Sequence, residues 1–397
     1  MKLAKRTQRI APSATMAMDA AAKEMVRQGI DVISFGVGEP DYDTPENVKE
    51  AAIAALRAGR TKYTPASGIH ELKVAIQKKL ARENNLEYDV GEIIVTVGAK
   101  HGLYGLTQVL FEEGDEVIVP APYWVSYVEQ IKVTGAEPVI IETRAADGFR
   151  MTADQLRRAL TPRTRGIILN TPSNPTGAVY RREHLEAIAH VAVEAGIPVI
   201  SDEIYEPFIY AGSSHVSIAS LGPEIKKLTL IVHGVSKSHS MTGWRIGYVA
   251  GDREVIKAME SLQSHSTSNP TSIAQWAAVE ALNGPQEAVH AMVAEFQRRR
   301  DYLVERLRAL PGVECAVPEG AFYVFPNVHA AFGRTYKGKR IDDSMSLCRL
   351  LLEEAHVSVV PGSAFGTEGF VRLSYATSMK NLEEGMNRIE AFWRSLE

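Results

Sequence analysis

Much that would place a chain in a special class is missing from this one. Its 397 residues include only two cysteines, Cys315 and Cys348. They form no CxxC and no zinc-ligand spacing, which argues against a disulfide framework or structural zinc and points to a reducing, cytoplasmic setting. No apolar run approaches the ~20 residues of a membrane span. The basic N-terminus, MKLAKRTQRIAPSATMAMDAAAKEM, is interrupted by Pro12, Ser13 and Asp19, so no secretory signal is expected. Charge of one sign is also lacking. A net charge of -4 gives no reason to expect nucleic acid or another polyanion as partner, and an acidic ligand must be met by local positive charge. No G-x-G-x-x-G follows a strand-like run, and no H-E-x-x-H is present, so His233 and His239 read as structural or solvated. GVSKS (234–238) lacks the closing glycine of a nucleophile elbow. Internal repeats, low-complexity tracts and flexible linkers are absent too.

What is present is the composition of a globular protein, 23% charged and 45% hydrophobic. Single cores stop growing beyond ~250–300 residues, so the length suits one large unit and a smaller one. Short β-branched runs, IIVTV (93–97), EVIVP (116–120), EPVII (137–141), GIILN (166–170), PVISDE (198–203) and TLIVHG (229–234), alternate with amphipathic stretches at 101–111, 123–133, 152–160 and 181–195. Strands separated by helices need crossover connections, which predicts an α/β fold with a mostly parallel sheet covered on both faces. Thr44 and Pro45 read as N-cap and first turn of a helix, with Gly59 as its stop. After Gly284-Pro285 the texture changes. A charged helix to about 309, strand-like AFYVF (321–325), a helix over 343–355 and short strands near 357–361 and 369–375 predict a smaller α+β unit.

Six segments can carry chemistry. SKSHSMTGWRIGY (236–248) follows an apolar strand and holds Ser236, Lys237 and Arg245. A lysine whose pKa is lowered can form a Schiff base, and serine and arginine can bind phosphate; a surface Lys and Arg on a glycine-rich loop is the plainer reading. SDEIY (201–205) puts Asp202 at a strand end, where open α/β sheets bind ligands. A buried carboxylate there needs a cation, such as a protonated pyridine nitrogen, unless Asp202 is simply a helix N-cap. Tyr205 is placed to donate to a phenolate, as is Asn174 of NTPSNPTG (170–177), although turn chemistry alone explains that segment. In TVGAKHGLY (96–104) a strand meets a helix whose first N–H groups form an anion site. Lys100 sits there against the helix dipole, which points either to a bound anion or to an exposed lysine bearing a small cost. In PAPYW (120–124), Trp124 either stacks on a flat ring or packs in the core. In GFVRLSY (369–375), Arg372 wants a carboxylate, from a ligand or from an internal salt bridge.

In this order and spacing GVGEP (36–40), KYTPASG (62–68), NPTG (174–177), SDEIY (201–205), SKSHSMTGWRIGY (236–248) and VRLSYATS (371–378) resemble the class I and II aminotransferases of the fold-type I pyridoxal-phosphate family, along almost the whole chain. PYWVSY (122–127) and MTGWRIGY (241–248) resemble a bacterial branch of that family acting on aspartate. The resemblance implies a large domain over 46–284 and a small domain formed by 285–397 with the N-terminal arm 1–45. It implies pyridoxal 5′-phosphate on Lys237, which is also the proton shuttle, with Asp202 at the ring nitrogen and Tyr205 and Asn174 at the phenolate oxygen. It makes Trp124 the stacking ring, and Ser236, Arg245 and the Ala99 and Lys100 amides the phosphate cup. Tyr63 is implied to reach the phosphate of a partner subunit, hence a homodimer, and Arg372, Asn174 and Gly38 to hold the substrate α-carboxylate.

The chain departs from the wider family in two places. Gly234 stands where some relatives carry a phosphate-binding serine, which predicts a slightly poorer cup. SHSTSNP (264–270) lacks the arginine that binds the distal carboxylate in some relatives; Lys100, helped by Ser13 and Thr15, is implied to replace it. The implied activity is ping-pong transamination of L-aspartate with 2-oxoglutarate. Prephenate, aromatic amino acids or alanine are alternative substrates. A carbon–sulfur β-lyase and a non-catalytic cofactor-binding regulator are alternatives of other classes.

Overall fold

The computed structural model describes residues 1–397, the side chain of Ala14 excepted. In chain order its helices are α1 (Ala14–Arg27), α2 (Glu46–Arg57), α3 (His70–Asn84), α4 (Ala99–Leu110), α5 (Ser126–Thr134), α6 (Ala153–Ala159), α7 (Arg182–Ala195), α8 (Pro223–Leu228), α9 (Arg253–Ser264), α10 (Ser272–Asn283), α11 (Glu287–Arg308), α12 (Ser344–Ala355) and α13 (Met379–Arg394). The strands are β1 (Ile33–Ser34), β2 (Ile93–Thr96), β3 (Glu116–Ala121), β4 (Glu137–Glu142), β5 (Thr164–Asn170), β6 (Val199–Asp202), β7 (Thr229–Gly234), β8 (Gly247–Ala250), β9 (Tyr323–Val324), β10 (Thr335–Tyr336), β11 (Lys339–Arg340), β12 (Val357–Ser358), β13 (Val360–Pro361) and β14 (Val371–Ser374). The six β-branched runs form β2 to β7, and the four amphipathic stretches form α4 to α7.

The central sheet has seven strands in the order β2-β8-β7-β6-β5-β3-β4. All run parallel except β8, which is antiparallel to both β2 and β7. Side chains alternate between its faces, as a pleated strand requires. Ile93 and Val95 of β2 join a core with α2, α3 and α10, while Ile94 between them joins α4, α5 and α9 on the other side. In β6, Val199 packs toward α6 and α7, and Ile200 toward α4 and α5. Both faces are therefore covered, which is why these strands read as continuous apolar runs.

A separate core joins Met18, Ile33 and Phe35 to α11, α12 and α13 and to the antiparallel sheet β13-β14-β9. Tyr205 and Phe208, just beyond β6, pack into this core, so the segment that follows Asp202 ties the two bodies of structure together. Local chemistry sets many helix ends. Asp252 caps α9 through the amides of Glu254 and Val255, Ser378 caps α13, and Asp343 caps α12 in a reciprocal pair with Ser346.

Two sequence readings need correction. Thr44 is not an N-cap: α2 starts at Glu46 with Pro45 in the cap position. The Thr44 hydroxyl instead donates to the Ser240 carbonyl (2.8 Å) and accepts from Trp244 Nε1 (3.0 Å). A tertiary loop has claimed the side chain that local geometry offered to the helix. The segment 247–250, not read as a strand, is β8.

The β7–β8 pairing is unusually close. Gly234 faces Gly247, and a Cβ at Gly247 would lie 2.3 Å from the Ala99 nitrogen and 2.6 Å from the Gly98 carbonyl carbon. Backbone cannot yield as a flexible side chain does. Gly247→Ala should therefore destabilise the fold by about 1–3 kcal/mol. Gly243→Ala, where an added Cβ meets nothing within 4 Å, should stay within about 0.5 kcal/mol of the parent. Urea midpoints of the two variants make the comparison, and equal midpoints would contradict the packing argument.

Candidate active site

Parallel strands deliver their carboxyl ends to one edge of the sheet, and turns leaving that edge converge. β2 runs through Gly98 into α4, β3 leads to Trp124, β5 to Asn174, β6 to Asp202 and Tyr205, and β7 to Ser236 and Lys237. Because β8 is antiparallel, its amino end lies at the same edge, which brings in Arg245 two residues before Gly247. Arg372 enters from β14 of the other core. Trp124, Asn174, Asp202, Tyr205, Ser236, Lys237, Arg245 and Arg372, with Gly38, Thr15, Ala99 and Lys100, line one cavity of about 390 Å³, within the range of small-molecule sites.

Lys237 is the centre of this cavity's chemistry. Its ammonium donates to the Gly38 carbonyl at 2.6 Å. Burial pushes its pKa down to about 8, with Arg245, Arg372 and Lys100 adding to the effect and Glu39 opposing it. A lysine so perturbed offers a neutral amine near neutral pH. Asp202 is buried at 4% exposure and pushed up to about 6 by burial, while hydrogen bonds from the Tyr127 hydroxyl (2.6 Å) and the Ile204 amide (3.2 Å) hold it down. No helix follows it, so it is not an N-cap aspartate.

Four cationic side chains line the cavity, and none pairs with a carboxylate among the described residues. Lys237 meets a carbonyl. Arg245 donates to the Thr242 carbonyl at 2.8 Å, and the Lys100 ammonium lies 4.8 Å from the Trp124 ring centre. Arg372 is the most informative. It is 3% exposed, donates to Asn174 Oδ1 (2.8 Å) and the Gly36 carbonyl (2.6 Å), and lies 4.5 Å from the Tyr323 ring centre. Its buried Nε has no partner. The internal salt bridge that would have explained this arginine without a ligand does not exist.

The anion cradle is built from backbone. Gly98 has φ +76°, and a Cβ there would sit 2.3 Å from an Arg245 nitrogen, so only glycine lets the guanidinium lie against this turn. The first amide to close on the Gly98 carbonyl is that of His101, which leaves the Ala99 and Lys100 N–H groups for a ligand. At Gly234 a side chain would meet Gly247 Cα at 2.8 Å and the Ile246 carbonyl at 2.9 Å, so the serine of some relatives finds no room here. Amides, a hydroxyl and a guanidinium at one end, an indole on the wall and a buried acid fit a flat, phosphorylated aromatic group.

Two predicted residues lie elsewhere in this single chain. Tyr63 is 91% exposed and away from the cavity. Ser13 caps α1 and shares a hydrogen bond with Thr15 (2.8 Å), but lines an adjoining cavity. Sequence reasoning gave no role to three residues now in view. Tyr127 holds Asp202. Tyr323 shares a hydrogen bond with Tyr205 between hydroxyls 2.8 Å apart. Asn170 accepts from the Asn174 amide and donates to the Asp202 carbonyl, fixing the 170–177 turn. The available signal was slight: Tyr127 lies three residues past Trp124, in the first turn of α5.

Comparison with known proteins places the chain in one family. The family model described as aminotransferase class I and II matches residues 30–389. The chain is 53% identical to an aspartate aminotransferase of Geobacillus stearothermophilus, covering 99% of each chain. It is 48% identical to a probable aspartate/prephenate aminotransferase of Aquifex aeolicus, with 98% of each covered. The crystal structure of an aspartate aminotransferase from Rhizobium meliloti, 47% identical, superposes with a TM-score of 0.97 over 100% of both chains. Fold, cavity and sequence agree: the chain belongs to the class I and II aminotransferases and is an enzyme of transamination.

Proposed function

We propose that this aminotransferase moves the amino group of L-aspartate to 2-oxoglutarate, giving oxaloacetate and L-glutamate, with pyridoxal 5′-phosphate joined to Lys237. The observation that carries the reading is the set of cavity cations without carboxylate partners: Arg372 with a free buried Nε, and Lys100 turned over Trp124. A dicarboxylic amino acid supplies one anion to each, and the cofactor phosphate supplies a third to Arg245.

When bound, the cofactor supplies an electron sink for the charge that develops as the substrate Cα–H bond breaks. The remaining work belongs to the chain. Arg372, with Asn174 and the Gly38 backbone, holds the α-carboxylate and so orients Cα. Lys237 Nζ, neutral once displaced, would accept the Cα proton and hold it as an ammonium for return within the same half-reaction, in a ping-pong cycle of two half-reactions. Asp202 keeps the ring nitrogen protonated, Tyr205 and Asn174 donate to the phenolate oxygen, and Trp124 covers the ring. The Ala99 and Lys100 amides, Ser236 and Arg245 grip the phosphate. Lys100 binds the distal carboxylate, and Thr15 and Ser13 close over it. Tyr63 completes the phosphate site of a partner subunit in a homodimer, which suits an aromatic side chain 91% exposed in one chain. We divide the enzyme into a large domain, 46–284, and a small one, 285–397 with the arm 1–45. A cytoplasmic setting goes with two buried, unpaired cysteines; no helix among the described residues is long and apolar enough to cross a membrane. Prephenate is the second reading. It too is dicarboxylic, so Lys100 serves it equally, and the name of the Aquifex relative includes it.

Lys237→Ala should abolish turnover and the visible absorbance of the lysine-linked cofactor; a variant that keeps both contradicts the assignment. Lys100→Ser should raise KM for aspartate by about 10–100-fold, the worth of a charge-assisted hydrogen bond, and leave alanine nearly unaffected. Initial-rate kinetics with both donors test this, and equal effects would remove Lys100 from side-chain recognition. Only the neutral amine attacks an aldehyde. With the Lys237 pKa at about 8, cofactor uptake by the stripped full-length protein should accelerate from pH 7 to pH 9 and then level. Stopped-flow absorbance that still climbs as an ordinary lysine would, toward pH 10.4, would contradict the perturbed amine.

A further inference from the structure

The hydroxyl of Tyr127 has no part in the reaction cycle proposed above, yet Tyr127 is 2% exposed and this hydroxyl lies 2.6 Å from Asp202 Oδ2. We infer that Tyr127 is a positioning residue for the reaction: by donating to Asp202 it keeps that carboxylate charged and in one orientation for the protonated ring nitrogen. The inference rests on the reading of Asp202 proposed above and adds the residue that sustains it.

The geometry leaves this task to Tyr127. The groups that face Asp202 are Tyr127 from α5, His233 from β7, and its chain neighbours Glu203 and Tyr205. His233 is occupied with Glu206 at 2.8 Å. Glu203 takes the Ser201, Ser217 and His215 side chains, and Tyr205 shares its hydroxyl with Tyr323. Among the described residues Tyr127 is the one side chain that donates to the Asp202 carboxylate; the other donor is the Ile204 amide, on Oδ1. Donors to the charged form of an acid favour that form, and burial opposes it. Asp202 has the burial of a core residue, so the bond from Tyr127, beside that from the Ile204 amide, favours its meeting the ring nitrogen as an anion. Tyr127 also packs edge-on against Trp124, with ring centres 5.4 Å apart at 81°. One residue thus braces both the acid and the indole that face the cofactor ring.

Tyr127→Phe removes the hydroxyl and keeps the ring, its burial and the edge contact. Full-length holoenzyme is tested by equilibrium dialysis of pyridoxal 5′-phosphate from pH 5 to pH 9, beside Asp202→Asn and the parent. The phenylalanine variant should hold the cofactor about tenfold less tightly at pH 7. The pH below which retention fails should move upward, together with the acid limb of the kcat profile, because the carboxylate has lost a donor to its charged form. Retention equal to the parent at every pH would overturn the inference. So would a loss by one constant factor with the acid limb unmoved, which is the mark of a purely packing role. If Asp202→Asn itself retains the cofactor like the parent, the ring-nitrogen reading falls and this inference with it. If Asp202→Asn is impaired while Tyr127→Phe matches the parent, only the role of Tyr127 falls.

Discussion

A guanidinium taken out of water without an acid beside it carries a desolvation penalty of several kcal/mol, and Arg372 is in that position. Its neighbours are an amide oxygen, a peptide carbonyl and the face of Tyr323. Each stabilises the charge partly and none neutralises it. The rest of the site is organised around this open demand. Arg372 stands on β14, Asn174 follows β5, and Gly36 lies in the stretch after β1, so the arginine binds three separate regions of the chain while its buried Nε has no partner. A core that tolerates such a group without filling it is the ground for the carboxylate-binding role proposed for Arg372.

The same economy appears at the sheet's carboxyl edge. Lys237, Lys100 and Arg245 accumulate there; burial lowers the pKa of both lysines, and the Arg245 charge lowers each further. What holds them is the fold: apolar strands buried on both faces, and a glycine pair at Gly234 and Gly247 that lets β7, β8 and the start of α4 approach almost backbone to backbone. That contact places the α4 amides and Arg245 around one point. The cost lies in glycine flexibility and in charge that no carboxylate of the described residues compensates.

Not every buried charge near the edge is functional. Glu203, Glu206 and His215 come within 4.8 Å of one another in an arrangement that would suit a metal ion. The position of a cation is already filled, since Lys79 pairs with Glu206, which also takes His233 and Asn84. With both carboxylates paired within the protein, this cluster works as an internal brace behind β6 and β7, in contrast to the cations of the cavity, which find no carboxylate partner among the described residues.

Periodicity and strand composition determined the parallel sheet, the helices that cover it and the smaller unit after Gly284, because a strand buried on both faces and an amphipathic helix leave local signatures in one dimension. Lys237, Asp202, Asn174 and Arg372 stood out as residues near apolar runs, but each alone also had a plainer reading, and the roles expected of them came from the family resemblance; the structure places all four around one cavity. Other features belong to the tertiary structure alone. Strand β8 was hidden because an antiparallel strand among parallel ones differs in partner, not in composition. Thr44 gave up a capping role to bind Ser240 and Trp244, residues about 200 positions away. Tyr127 and Tyr323 acquired their work only when folding brought their hydroxyls to Asp202 and Tyr205. A sequence records what each side chain is able to do, and hydrogen-bond partners far apart along the chain are chosen only when the packed backbone brings them within 3 Å.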